Sequence, residues 1–173
     1  MKTRKIPKLF LLKGGTVIDP LKGTSGIKNI LIENGNIKSV GKSSAPKSAE
    51  VLDCTGKVIT HGFCDVHVHF REPGREDKET LATGSRAALA GGFTRVCVMP
   101  NTNPPLDSPE SIRFIAEKAA DCQIYIHPIG AVTKGQKGTE ITEMSAMVRE
   151  GAVAFSDDGL PIANALVMRR ALE

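Results

Sequence analysis

Tryptophan is absent from the 173 residues and aromatics make up only 4% of them, so a core must be built from Val, Ile, Leu, Ala and Met. The same scarcity argues against a nucleic-acid surface, because no basic stripe carries interleaved aromatics. Long apolar runs are missing too. The longest near the N-terminus, Leu9-Phe10-Leu11-Leu12, is far too short for a signal peptide or a membrane span. Cysteine is limited to Cys54, Cys64, Cys97 and Cys122, with no paired Cys-x-x-Cys spacing. That excludes a zinc knuckle or disulfide frame and points to reduced thiols of a cytoplasmic protein, two of them inside expected buried strands. The charge excess is a modest +4. Part of it comes from Lys2, Arg4, Lys5 and Lys8, a basic start expected to be a frayed terminus rather than a binding arm.

What is present divides into two patterns. Over residues 1–58, short β-like runs alternate with turns: Leu9 to Leu12, Thr16 to Ile18, Asn29 to Glu33, Ile37 to Val40 and Glu50 to Leu52. Gly14-Gly15, Asn34-Gly35 and the stretch Ser43 to Ser48 separate them, and Asn34-Gly35 is a strong hairpin signal. This part is expected to be a small, partial β-sandwich module. Residues 59–173 switch to strand, loop, helix, repeated. Strands are expected near Cys64, Arg95, Gln123 and Ala152, giving repeats of 31, 28 and 29 residues. Helices are expected over Lys78 to Leu89, Pro109 to Ala120 and Glu140 to Arg149, with a fourth from about Ile162. Ser108 suits an N-cap and Pro109 the first helical turn.

Four βα units of this length predict an α/β fold, the first half of a (β/α)8 barrel. A full barrel takes roughly 250 residues, and the part after residue 63 is less than half of that. The barrel is therefore expected to be truncated, with open edges at its first and fourth strands. Such a chain should be marginal, aggregated or homo-oligomeric unless another polypeptide completes it.

The segment Cys64-Asp65-Val66-His67-Val68-His69-Phe70-Arg71 carries most of the chemistry. On a strand, alternate side chains share a face, so Asp65, His67, His69 and Arg71 are expected on one side and Val66, Val68 and Phe70 on a buried other. Two imidazoles so placed can grip one metal ion, and Arg71 adds a planar fork suited to a carboxylate. Barrel enzymes gather their catalytic groups at the C-terminal ends of strands. That rule brings His67, His69 and Arg71 together with Met99-Pro100-Asn101 and Asp157-Asp158-Gly159 on one rim. His127, alone on the third strand, is expected to be a hydrogen-bonded core residue. Lys134-Gly135-Gln136-Lys137-Gly138 lacks the spacing of a phosphate-binding loop.

Gly62-Phe63-Cys64-Asp65-Val66-His67-Val68-His69-Phe70-Arg71-Glu72-Pro73-Gly74 resembles the signature of dihydroorotases in the amidohydrolase superfamily. The resemblance continues through Ala90-Gly91-Gly92-Phe93-Thr94, Met99-Pro100-Asn101-Thr102-Asn103-Pro104-Pro105 and Ala154-Phe155-Ser156-Asp157-Asp158-Gly159, in the family's order. The Asp-Asp-Gly block is similar to the bacterial type that bridges its metals with aspartate. A carboxylated lysine is excluded, since Ala152 to Asp158 contains no lysine.

This resemblance implies a metal site of His67, His69 and Asp158, with Asp157 the second choice, holding one or two Zn2+. It implies that Arg71 and Asn101 hold the substrate's carboxylate, and that Asp65 orients a histidine or the neighbouring backbone. His61 stands where the family usually has proline and is expected to be a loop residue without a metal role. The implied reaction interconverts N-carbamoyl-L-aspartate and dihydroorotate in pyrimidine synthesis. The family draws two further histidines and an acid/base aspartate from later strands, and completes its β module with strands from the far C-terminus. Allantoinase or dihydropyrimidinase would share the fold and the His-x-His pair, but their substrates lack the carboxylate that Arg71 would bind. A third expectation is a non-catalytic subunit scaffolding aspartate transcarbamoylase.

Overall fold

The computed structural model describes residues 8–173 apart from Ser43 and Ala45, so Lys2, Arg4 and Lys5 of the basic start lie outside the described residues. The chain forms two compact units, Met1–His61 and Gly62–Glu173.

In the first unit a long strand, β1 (Leu9–Asp19), sits between neighbours of both directions. It pairs antiparallel with β2 (Thr24–Glu33) and parallel with β4 (Glu50–Asp53) and β5 (Val58–Ile59), while β3 (Asn36–Gly41) flanks β2. The sequence suggested two strands where there is one. Gly14-Gly15 does not end β1 but bulges it: the register shifts between Leu12 and Gly15, with Gly14 at φ +73° and its N–H donated to Asn29 Oδ1 at 2.9 Å. The β2–β3 hairpin is the two-residue turn that Asn34-Gly35 announces, both residues left-handed at φ +50° and +80°. Leu11, Val17, Ile30, Leu31 and Cys54 are buried here, whereas Ile27, Ile37 and Val58 remain exposed.

The second unit is a parallel sheet in chain order, β6 (Phe63–Val68), β7 (Phe93–Val98), β8 (Tyr125–Gly130) and β9 (Ala154–Phe155). Helices α1 (Leu81–Ala90), α2 (Pro109–Ala119) and α3 (Met144–Arg149) connect successive strands, and α4 (Ala165–Leu172) follows β9. This is the α/β arrangement of successive barrel units. Alternation along the strands decides the faces. Val96, Val98 and Ile126 point to the helices and pack on Leu81, Ile112, Ile115 and Met147. Arg95, Tyr125 and His127 form a separate stack, with the Arg95 guanidinium 4.2 Å from the Tyr125 ring centre.

Helix starts follow the caps rather than the composition. Thr80 caps α1 with Thr83 reciprocating, and buried Glu72 accepts the Leu81 N–H at 2.8 Å, so the helix begins after Lys78 rather than at it. α2 begins at Pro109 behind the Ser108 cap, as its sequence predicts. The start expected at Glu140 moves to Met144 because Ile141 bridges Thr133 and the Thr142 hydroxyl donates to Ala131 O at 2.8 Å. α4 starts after Asn164, whose side chain accepts from Leu166 and Val167 N–H. The Arg113 fork tethers α2 to Glu150 at the end of α3, at 2.8 and 2.9 Å, and holds that carboxyl below its ordinary range.

Candidate metal centre

The strand that carries His67 is shorter than alternation suggests. β6 ends at Val68, and the ladder to β7 is irregular between Asp65 and Val68. His69 and Arg71 therefore stand beyond the strand, and Val66 is 68% exposed rather than buried. Val68 and Phe70 do pack on the core. His67 and His69 still come together, ring centres 5.1 Å apart in an edge-to-face arrangement. Asp65 accepts the His67 backbone N–H at 3.0 Å, so it holds the strand end instead of touching a ring.

From the end of β9, adjacent acids are sent in opposite directions. Asp158 is left-handed at φ +29°, followed by Gly159 at +78°, and its N–H is donated to Ser156 Oγ at 3.0 Å. Asp tolerates that backbone better than most residues, and such outliers gather at functional sites. Asp158 Oδ1 lies 3.2 Å from His67 Nε2 and Oδ2 lies 3.6 Å from His69 Nε2. One ligand atom from each of the three residues falls within 4.8 Å of the others. A tetrahedral ion with ligands at about 2.0–2.1 Å separates any two of them by about 3.3–3.4 Å. The two observed spacings lie near that value, though to different oxygens of Asp158, so the donor set is of the kind that can hold a metal ion.

Asp157, the second choice for that role, is not in the group. It is buried, and its Oδ1 accepts the Val132 and Thr133 N–H groups at 2.8 and 3.1 Å while Oδ2 accepts the Thr133 hydroxyl. Both oxygens are thus committed to the loop after β8. Asp157→Ala leaves one buried and one half-buried N–H donor without an acceptor, at about 1–3 kcal/mol each. The expected loss is about 2–6 kcal/mol, read as a lowered urea midpoint at unchanged slope. Thr133 and Ser156 carry no sequence signal for this part; only the fold reveals them.

Asn101, at the end of β7, joins the group directly. Its Oδ1 lies 2.9 Å from His69 Nδ1, and its Nδ2 donates to Asp158 Oδ2 at 2.6 Å. Arg71 is half-buried and left-handed at φ +55°. The acids that might neutralise it are occupied elsewhere: Glu72 pairs with Lys118, and Asp77 with Arg75. Among the described residues no carboxylate pairs with Arg71. Its loop is pressed against the Asn101 loop, since a Cβ on Gly74 would stand 1.9 Å from Asn103 O. His127 is outside the group and lies 3.3 Å from Arg95 Nη1, hydrogen-bonded as expected but half-buried in the stack with Arg95 and Tyr125 rather than in the core. His61 is exposed, lies outside any strand or helix and is not a member of the group, as a loop residue should be. All four cysteines are free, though Cys64 is exposed rather than buried. Burial pushes the Cys97 thiol up, which keeps it a poor metal ligand.

Among the described residues no helix is long and apolar enough to cross a membrane. Among solved structures, the L-hydantoinase (dihydropyrimidinase) of Arthrobacter aurescens matches 87% of this chain and 34% of its own, at TM-score 0.68 and 21% identity, a likeness of fold alone. The D-hydantoinase (dihydropyrimidinase) of a Thermus species matches 82% of this chain and 30% of its own, at TM-score 0.61 and 31% identity. Both likenesses agree with the amidohydrolase barrel. The dihydroorotase of Pelotomaculum thermopropionicum is 50% identical over 164 residues, 95% of this chain and 38% of that protein. The dihydroorotase of Geobacter sulfurreducens is 48% identical over 166 residues, 95% of this chain and 39% of that protein. The chain thus spans about 38% of the length of such relatives. The family model described as dihydro-orotase-like matches residues 56–173, more than half the chain, and the chain belongs to that family.

Proposed function

We propose that the protein acts as a dihydroorotase, interconverting N-carbamoyl-L-aspartate and dihydroorotate in pyrimidine synthesis in the cytoplasm, with zinc held by His67, His69 and Asp158. The observation that carries this reading is the pairing of a three-ligand group with an unneutralised guanidinium two residues beyond it. When bound, the metal supplies Lewis acidity and an activated water. Arg71 receives the substrate's carboxylate in a bidentate, charge-assisted pair and so fixes the ring's orientation. Asn101 Nδ2 has two hydrogens; one is given to Asp158, and the other remains to donate to the same carboxylate. Asp157 holds the β9 turn rigid so that Asp158 keeps its place.

The likeness of fold to hydantoinases favours a second reading, hydrolysis of a cyclic amide without a carboxylate. Arg71 favours the first reading, because a guanidinium with no carboxylate partner among the described residues suits a substrate that brings one. Assays of the native protein on dihydroorotate, dihydrouracil and allantoin separate the two: turnover of dihydroorotate alone is the expected result, and turnover of only the others overturns the proposal. Without turnover of any, a stable complex with aspartate transcarbamoylase in gel filtration marks a scaffold instead.

A further inference from the structure

We infer that Asn101 is a positioning residue that selects the tautomer of His69 and locks the orientation of Asp158, an inference that rests on the metal-site reading above. The hydrogen-bond chemistry is directional at each step. Asp158 as a carboxylate can only accept, so the amide presents its NH2 there, at 2.6 Å. That orientation leaves the amide oxygen facing His69 Nδ1 at 2.9 Å. An amide oxygen can only accept, so Nδ1 of His69 carries the hydrogen. A neutral imidazole protonated at Nδ1 has its lone pair on Nε2, the nitrogen turned towards Asp158 and His67. One side chain from the loop after β7 thus sets the protonation pattern of a ligand after β6 and the rotamer of a ligand after β9.

His67 has no equivalent partner for its Nδ1 among the bonds described for this group; its backbone is held by Asp65 and its Nε2 faces Asp158 Oδ1. The two imidazoles are therefore inequivalent before any ion arrives, one pre-set and one held only by the carboxylate that it faces. A residue that merely contacts substrate would leave both unchanged when removed.

The test uses the native protein stripped of metal, with 15N-labelled histidine, and long-range 1H–15N correlation at neutral pH. The expected wild-type spectrum shows His69 as the Nδ1–H form. Asn101→Leu, close in size and without polar atoms, loses that preference and weakens zinc binding roughly 10–100-fold, the usual cost of losing an outer partner of a metal ligand. An Asn101→Leu protein whose circular dichroism and urea midpoint match the wild type separates loss of tautomer control from misfolding. Finding His69 as Nε2–H in the wild type overturns the inference. So does an Asn101→Leu protein whose tautomer and zinc affinity are unchanged. A wild type that shows the Nδ1–H form but binds no zinc overturns the metal-site reading and leaves the tautomer assignment standing.

Discussion

His67→Ala and His69→Ala each lower zinc affinity of the native protein by more than about 100-fold, beyond the roughly 10–100-fold that follows loss of an outer partner. The expectation follows from the ligand count. Only three donors converge among the described residues, and removing one imidazole leaves a single nitrogen and a carboxylate. Stability should not confuse the result. The His67 side chain is 53% exposed, and such surface changes usually stay within about 0.5 kcal/mol. Circular dichroism of His67→Ala should therefore match the wild type while metal content falls, whereas His69→Ala also removes the 2.9 Å partner of Asn101 Oδ1 and needs its urea midpoint measured alongside. Cys64→Ser and Cys97→Ser serve as controls and should bind zinc normally, since neither thiol belongs to the group. Unchanged affinity in both histidine variants would place the metal elsewhere.

On the proposed reading, Arg71→Met raises KM for dihydroorotate about 10- to 150-fold, because hydrogen bonds to a charged group contribute about 1.5–3 kcal/mol. Arg71→Lys should recover little of this, since an ammonium cannot reproduce the planar two-point contact. Lysine faces the same left-handed backbone at φ +55° as arginine does, so the comparison tests the head group and not the turn. Turnover at saturating substrate should fall less than kcat/KM, as expected for a group that binds ground state and transition state alike. Should both variants leave KM within twofold of the wild type, Arg71 has no part in recognising the carboxylate.

The order of elements was legible in the residues, and so was the convergence of their C-terminal ends. Repeats near 30 residues placed the four parallel strands, and Ser108-Pro109 fixed the start of α2. The period-2 argument for the metal segment failed where β6 stops: regular alternation holds only while the ladder is regular, and it breaks between Asp65 and Val68. Asp157 and Asp158 could not be told apart by chemistry alone. What separates them is a positive φ at Asp158 and two backbone donors waiting for Asp157, both products of tertiary structure. Asn101 was named from the family resemblance, but its partners arise from segments 32 and 57 residues away. β5, at two residues, is too short to leave a periodic trace.

The most direct test of the metal site is zinc K-edge X-ray absorption of the zinc-loaded native protein. Imidazole nitrogens and carboxylate oxygen at about 2.0–2.2 Å, with no sulfur shell at about 2.3 Å, are the expected result. The imidazole scattering should diminish in His67→Ala and His69→Ala. A sulfur shell, or a spectrum indifferent to both substitutions, would contradict the assignment of His67, His69 and Asp158.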